Sequence, residues 1–288
     1  MEKLKKNRGV SFLIVFLVYF FSILGALLIY PVLPLPWWAS LLIADIFATI
    51  VVFLFSLLFE NASVYDPYWS VKPIAIVLAY AVNKDVDPLR ALIFVAVLFW
   101  GIRLTVNWAY TFKSLMHQDW RYTMLNERTG KFYPVINFIG IHLVPTLVVY
   151  ACCIPVVYAF QNDLKINTWS VVFIIISFLA VILQGASDIL MHAYRKNKAT
   201  PFIRVGPWKF SRHPNYLGEI LMWWGIALCV FATQPRAWYV LIGAVLNTLL
   251  FLFVSIPMAD KRQSKKEGFA EYKKQTWALL PLPKPYKK

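Results

Sequence analysis

The feature that most constrains this chain is a succession of long apolar runs. Most of them reach the roughly 20 apolar residues that a helix needs to cross a bilayer. The shortest run, 71–83, carries Lys72 and Pro73 and could be re-entrant. We predict an all-α fold, a polytopic transmembrane helix bundle of seven to eight spans. The predicted helices lie near residues 10–30, 37–59, 71–83, 90–112, 134–160, 169–192, 214–232 and 237–258.

Basic residues fix the orientation of these spans. With the N-terminus inside, 24 of the 29 Lys and Arg residues fall on the cytoplasmic side, and cytoplasmic loops are the ones enriched in Lys and Arg. We therefore predict an N-in/C-in topology with the polar, functional half facing the cytoplasm. The net charge of +15 then reflects topology, and we expect no nucleic-acid partner. The cytoplasmic segments are 1–9, 60–72, 113–133, 193–213 and 259–288.

Composition and the rarer residues narrow the possible functions. Only 15% of residues are charged and 60% are hydrophobic, whereas a soluble domain has about 25% charged residues. The three Cys lie in apolar runs without metal-ligand spacing, and the four His lie on separate elements. We expect no metal site. The basic N-terminus precedes an apolar run that lacks a small-residue cleavage site before Pro31, so we interpret this run as a retained anchor.

Ionisable residues inside spans usually mark functional sites, because burying a charge in lipid is costly. Arg103, Asp188 and Glu219 all fall in the cytoplasmic halves of their spans. Asn107 follows Arg103 by four residues and shares its helix face. Either Arg103 contacts a bound anion, or it pairs with Asp188 or Glu219. Asp45, toward the outer side, is assigned no role.

One predicted helix carries a polar stripe that runs out of the membrane. Gln184, Asp188, His192 and Arg195 recur at helical spacing, so they project from one face. Such a stripe must face a cavity or another helix rather than lipid. An Arg suits a phosphate because its guanidinium forms paired hydrogen bonds.

The most specific stretch runs from Ser211 to Glu219. Pro214 favours a helix start there, and free N–H groups at a helix start bind anions. The candidates for ligand binding are Arg212, His213, Asn215, Tyr216 and Glu219. Farther along, the tail that includes Lys261 resembles an interfacial amphipathic segment and is in position to close over a bound phosphate.

A second polar stretch, residues 61–70, lies between the second and third runs. It contains Asp66 and Tyr68 among other aromatic residues. One interpretation is an interfacial Tyr/Trp belt with a turn at Asp66-Pro67. The other is a substrate site at the cytoplasmic rim. The sequence favours neither.

At Ser211–Glu219 the sequence resembles the steroid 5-alpha-reductase C-terminal domain family, in its bacterial, DUF1295-like branch of multi-span proteins. The resemblance covers about residues 60–285. It implies residues 1–36 as an extra transmembrane helix, residues 37–288 as the family domain with a cytoplasmic cofactor site, and a bacterial inner-membrane location. The family binds NADPH and reduces activated C=C bonds, so the resemblance implies an oxidoreductase acting on CH–CH groups, with NADP as cofactor and a lipid-like substrate.

The family's cofactor-binding positions match particular residues of this chain. Its Asn and Glu correspond to Asn215 and Glu219. Its Asn-x-x-x-Asp followed by Arg corresponds to Gln184, Asp188 and Arg195, and its helix Arg to Arg103. The steroid reductases also pair a Tyr with a Glu to polarise the acceptor carbonyl. Here the Tyr position is Trp100, and the loop offers only Asp66 and Tyr68 as catalytic candidates. The resemblance therefore supports NADPH as the cofactor more strongly than it supports a steroid as the substrate.

Two other functions stay open. Membrane methyltransferases of the isoprenylcysteine and phospholipid type share the Arg-His-Pro-x-Tyr-x-Gly stretch and use S-adenosylmethionine. They carry a Glu-Glu pair after the last span, where this chain has Asp260. A non-enzymatic lipid-binding or scaffold protein would need no cofactor. Oligomeric state and substrate identity do not follow from the sequence.

Overall fold

The computed structural model describes residues 2–197 and 200–285, except for the side chain of Lys3, and helices form most of this part of the chain. The predicted fold class, an all-α polytopic helix bundle, is confirmed. The only β pairing among these residues is an isolated bridge between Ser211 and Trp277. The helices are α1 Glu2–Lys6, α2 Arg8–Ile29, α3 Trp37–Leu58, α4 Tyr68–Asn83, α5 Pro88–Thr111, α6 Trp120–Thr129, α7 Tyr133–Ile136, α8 Val144–Gln161, α9 Thr168–Asn197, α10 Pro214–Thr233, α11 Ile242–Leu250, α12 Ile256–Gln263 and α13 Phe269–Gln275.

Within the described ranges, seven helical segments are long and apolar enough to cross a membrane. The 16-residue α4 is not among them, since it is only about 24 Å long, against a hydrocarbon core of about 30 Å. It begins at Tyr68, three residues before the predicted start. Two termini on one side require an even number of crossings, so the predicted topology requires α4 to complete one. The seven segments are Arg8–Val32, Trp37–Leu58, Pro88–Thr111, Trp120–Gln161, Thr168–Asn197, Pro214–Thr233 and Pro235–Gln263.

The chain divides into two compact units. Unit 1 comprises Met1–Lys84 and Leu104–Ile154, and unit 2 comprises Asp85–Arg103 and Pro155–Lys288. Helices α5 and α8 each contribute one part to each unit. In unit 1, α2 packs against α3, so the predicted N-terminal anchor is part of a larger folded body.

The interior of unit 1 contains a charged pair as well as apolar side chains. Lys72 Nζ donates to Asp45 Oδ2 at 2.8 Å and to the Thr146 carbonyl at 3.0 Å. Each of the two charged residues is 4% exposed. Lys72 was predicted to lie in a cytoplasmic loop, and the structure places it inside α4. Asp45, which the sequence left without a role, is its partner. The predicted cytoplasmic side still carries most of the basic residues after this correction.

In unit 2, two glycines allow α10 to approach α9 closely. A Cβ at Gly218 would lie 2.7 Å from the carbonyl oxygen of Ala180, and one at Gly225 would lie 2.7 Å from that of Phe173. Both distances are shorter than van der Waals contact, so a larger residue at either position would force the helices apart. Small residues at helix contacts are typical of membrane bundles. Ser177 adds a 2.9 Å hydrogen bond to the Met222 carbonyl. This contact brings Gln184 beside Glu219.

The topology prediction is tested by cysteine accessibility. Lys113 and Lys165 are both exposed, and the predicted topology puts them on opposite sides of the membrane. With the three buried native cysteines replaced by alanine, a membrane-impermeant maleimide added to intact cells should label Lys165→Cys and not Lys113→Cys. Both should react after permeabilisation. The reverse pattern in intact cells would show that the topology is inverted.

Candidate functional site

The polar centre of unit 2 is the Glu219 carboxylate on α10, which is 5% exposed. It accepts hydrogen bonds from Trp100 Nε1 at 2.7 Å, Gln184 Nε2 at 3.1 Å and Trp223 Nε1 at 3.1 Å. A carboxylate is an acceptor-only group when ionised. Three N–H donors from α5, α9 and α10 therefore hold the carboxylate in one orientation.

Arg103 extends this network through Gln184. Its Nη1 donates to Asp188 Oδ2 at 2.7 Å, and its Nη2 donates to Gln184 Oε1. The Gln184 amide thus links the Arg103–Asp188 ion pair to Glu219. Four of the predicted cofactor-binding residues lie together, and Arg103 takes Asp188 as partner, which was one of the two interpretations of its charge.

Five side-chain polar atoms of unit 2 are buried without a hydrogen-bond partner among the described residues, three of them in Asn247 and Gln263. The other two are Arg103 Nε, in the network just described, and Asn215 Oδ1, one helical turn before Glu219 on α10. Buried polar atoms are almost always paired, with protein, water or ligand. These atoms therefore indicate that a polar molecule, or ordered water, completes this region. Both side-chain amide atoms of Asn247, Nδ2 and Oδ1, are also buried without a hydrogen-bond partner among the described residues.

A second cluster in unit 2 surrounds Asp260 at α12. Arg212 Nη2 donates to Asp260 Oδ2 at 3.1 Å, and His213 Nε2 lies 2.9 Å from Asp260 Oδ1. Arg212 Nη1 also donates to the Thr276 carbonyl at 2.8 Å. The His213 ring stacks on Tyr216 with centroids 5.0 Å apart. Arg212 and His213, both predicted to bind the cofactor, thus hold the start of α10 against the C-terminal segment.

The C-terminal segment pairs with the chain just before α10. Arg212 N–H donates to the Trp277 carbonyl at 3.0 Å, and His213 N–H donates to the Ala278 carbonyl at 3.1 Å. Nearby, the Arg204 guanidinium lies 5.0 Å from the Phe202 ring centroid and 5.1 Å from that of Tyr272. The tail therefore packs beside the predicted binding stretch, as the sequence suggested.

The remaining predicted cofactor residues are more dispersed. Arg195, in the last turn of α9, and Lys261, in α12, are exposed. Asn107 belongs to unit 1. Sequence analysis missed Trp100 and Trp223 as partners of Glu219, although Trp223 follows Glu219 at the four-residue helical spacing. It also missed the role of Asp260, for which no local signal exists.

In unit 1, the polar loop is built around Asp66. Its Oδ1 accepts a hydrogen bond from the Tyr122 hydroxyl at 2.7 Å. Asn61 Nδ2 donates to the Leu115 carbonyl at 2.7 Å, and Asp119 N–H donates to Ser63 Oγ at 2.8 Å. The loop is thus anchored to residues 115–122 by side-chain hydrogen bonds, which a purely interfacial aromatic belt would not require.

Tyr68, the other catalytic candidate, is 1% exposed. Its hydroxyl lies 3.4 Å from Asp45 Oδ1, beside the Lys72 ammonium. A Thr146 hydroxyl bonds both Tyr65 and Thr49 in the same interior, at 2.9 and 3.0 Å. Within unit 1, Tyr68 therefore belongs to a buried polar network, and Asp66 lies in the adjoining loop.

The protonation of Asp66 should affect stability. Burial raises the pKa of its carboxyl to about 6, and the positive charge of Arg121 opposes this shift only partly. An unfolded Asp has a pKa of about 3.9, so the folded state binds more protons between the two values. Stability then falls as pH rises through this window.

Asp66→Asn should remove this dependence while keeping an acceptor for Tyr122. The melting temperature of the variant relative to the native protein should rise between pH 4 and pH 7, by roughly a few degrees. Thermal unfolding in detergent at a series of pH values measures this difference. A difference that stays constant with pH would contradict the shifted pKa.

The chain matches a known protein family over most of its length. A family described as a protein of unknown function, DUF1295, matches residues 52–276, which is most of the chain. The chain belongs to the DUF1295 family. An uncharacterized protein of Schizosaccharomyces pombe is similar to it, with 24% identity over 194 residues. That alignment covers 57% of this chain and 56% of the yeast protein, so the chain spans little more than half of that relative. No solved structure matches.

The DUF1295 match starts within α3 and ends just before Trp277. It includes every predicted site residue of both units and leaves out α1 and α2.

Proposed function

We propose that this DUF1295 protein is a membrane-embedded, NADPH-dependent reductase that transfers hydride to an activated C=C bond of a lipid-like substrate. The observation that carries the proposal is the Arg103–Gln184–Glu219 network in unit 2, with Arg103 Nε and Asn215 Oδ1 buried and unpaired. The resemblance at Ser211–Glu219 to the steroid 5-alpha-reductase family supports the choice of cofactor.

The residues of unit 2 fit a dinucleotide by their chemistry. Asn215 has an unused acceptor for an amide or hydroxyl donor, and Arg103 has an unused N–H for an acceptor. Exposed Arg195 and Lys261 are cations suited to phosphates. In this proposal Gln184, Asp188 and Glu219 keep Arg103 oriented, and Tyr216 offers an aromatic face. When bound, NADPH would supply the hydride.

In this proposal, residues of unit 1 deliver the proton and polarise the acceptor. With a pKa of about 6, the Asp66 carboxyl is partly protonated near neutral pH, which suits a general acid. We assign proton delivery to Asp66 and polarisation of the acceptor to Tyr68, whose hydroxyl is held beside the Asp45–Lys72 pair.

A binding titration on the purified protein tests the cofactor. NADPH should bind about tenfold more tightly than NADH, because a 2′-phosphate gains one charge-assisted contact. Arg195→Gln should reduce this preference. Arg128→Gln is the matched control, since Arg128 is also an exposed arginine in the last turn of a helix. Asp66→Ala should leave affinity unchanged while slowing enone-dependent NADPH oxidation.

The alternatives give different results in the same titration. Tight S-adenosylmethionine binding without NADPH binding would establish the methyltransferase function instead. Binding of neither compound would favour a lipid-binding or scaffold protein. Equal affinities for NADPH and NADH would refute the 2′-phosphate contact but not the dinucleotide site.

A further inference from the structure

Unit 1 contains an apolar groove of about 500 Å³. Helix α2 forms one wall, and α5 and the start of α4 form the other. Thr105 is the single side chain with a hydroxyl on the α4–α5 wall, and that hydroxyl lies 2.8 Å from Ser70 Oγ. The lining residues are Phe12, Val15, Phe16, Tyr19, Phe20, Ile23, Leu24, Leu27, Pro67, Val71, Thr105, Trp108 and Ala109.

The groove follows the length of a membrane span. From Phe12 to Leu27 its α2 wall extends about 22 Å at the rise of an α-helix, within the candidate span Arg8–Val32. Phe16, Phe20 and Leu27 combine contact with the groove and an exposed surface. The groove is therefore open to the surrounding hydrocarbon, and a hydrocarbon chain fits its lining.

The positively charged side chain of Arg8 lies at the end of the groove near the N-terminus of α2. The Arg8 guanidinium lies 5.5 Å from the centroid of the Phe12 ring, and its Nη2 donates to the Ala109 carbonyl at 2.9 Å. Phe12 and Ala109 both line the groove. Among the described residues no carboxylate pairs with Arg8, and exposed Lys113 lies four residues after Ala109, just beyond the end of α5. Positive charge thus meets the apolar groove at the predicted cytoplasmic surface.

We propose that this groove binds an anionic membrane lipid, with an acyl chain along α2 and the headgroup phosphate on Arg8. An arginine at the membrane surface favours anionic over zwitterionic lipid, and its planar fork suits a phosphate. The site is independent of the proposed reductase function. Its α2 wall lies outside the family match, which starts at residue 52, whereas its α4–α5 wall lies inside that match.

Photo-crosslinking on the full chain tests the groove. Phe20 lines the groove and is 50% exposed, whereas its neighbour Phe21 is 57% exposed and does not line it. A benzophenone amino acid is placed at either position in protein purified in micelles with equal phosphatidylglycerol and phosphatidylcholine. At position 20 the phosphatidylglycerol adduct should exceed the phosphatidylcholine adduct about fivefold. At position 21 the two adducts should be equal.

Arg8→Gln should abolish the preference at position 20, and Arg8→Lys should keep most of it. Equal adducts at position 20, the same preference at position 21, or an unchanged preference in Arg8→Gln would overturn the proposal. Native mass spectrometry provides a second measurement without the unnatural residue. The unmodified protein should retain phosphatidylglycerol under conditions that strip it from Arg8→Gln, and equal retention would also overturn the site.

Discussion

Lys72→Met is expected to destabilise the protein by about 3–5 kcal/mol, the usual effect of removing one partner of a buried ion pair. The variant leaves the Asp45 carboxylate, itself 4% exposed, with the distant Tyr68 hydroxyl as its one remaining side-chain donor among the described residues. It also leaves the Thr146 carbonyl without the ammonium that lies 3.0 Å away. Methionine fills nearly the same volume as lysine, so lost packing contributes little. Denaturant unfolding in detergent micelles measures the change.

The double variant Lys72→Met with Asp45→Leu provides the decisive comparison. Replacing both members of a buried pair by apolar residues is often neutral or stabilising, so most of the stability should return. Lys113→Met, at an exposed lysine, should change stability by less than about 0.5 kcal/mol. If Lys72→Met behaved like Lys113→Met, or if the double variant were no more stable than the single one, Lys72 and Asp45 would not be energetically coupled.

The helices could be predicted from sequence because lipid leaves the backbone few options. Every N–H and C=O in the hydrocarbon must be paired within the chain, so a long apolar run becomes a helix. The predicted 37–59 and 214–232 agree closely with α3 and α10. The run 134–160 does not form one regular helix, because residues Asn137–Leu143 form a π-helical turn between α7 and α8. Apolar periodicity cannot distinguish a π turn from an α turn.

The start of α4 could not be predicted correctly from the sequence. Polar Tyr68, Ser70 and Lys72 interrupt the apolar pattern, so the prediction began at residue 71. The structure extends the helix to Tyr68 because these side chains find partners inside unit 1. A buried ion pair between residues 27 positions apart has no local signature.

In the candidate site too, residue spacing predicts which side chains share a helix face but not which helix they contact. Gln184 and Asp188 could be placed on one face from their spacing alone, and the structure joins both to Arg103. Which helix faces that stripe was not predictable, since it depends on the close α9–α10 contact at Gly218 and Gly225. The density of polar groups around Arg212 suggested a ligand, whereas the partner the structure shows is Asp260, 48 residues away.

Asn215→Ala is expected to weaken NADPH binding about ten- to a hundredfold, the effect of losing one hydrogen bond to a charged or strongly polar group. It should leave stability almost unchanged, because Asn215 Oδ1 has no partner among the described residues. Asp188→Ala should weaken binding to a similar degree and also lower stability, since Arg103 loses its 2.7 Å ion pair. Titration of NADPH and thermal unfolding of the same preparations separate the two effects.

The double variant Asp188→Ala with Arg103→Ala tests whether the Arg103–Asp188 ion pair contributes to cofactor binding or only neutralises a buried charge. If Asp188 serves only to neutralise Arg103, removing both should restore stability and binding together, because no uncompensated charge remains in the network. If Arg103 contacts the cofactor and Asp188 holds Arg103 in position, stability should recover while affinity stays low, since the unpaired Arg103 Nε is then missing from the site. Recovery of NADPH affinity in the double variant would therefore remove both residues from the proposed cofactor site and leave Asn215, Tyr216 and Glu219 as its remaining candidates in α10.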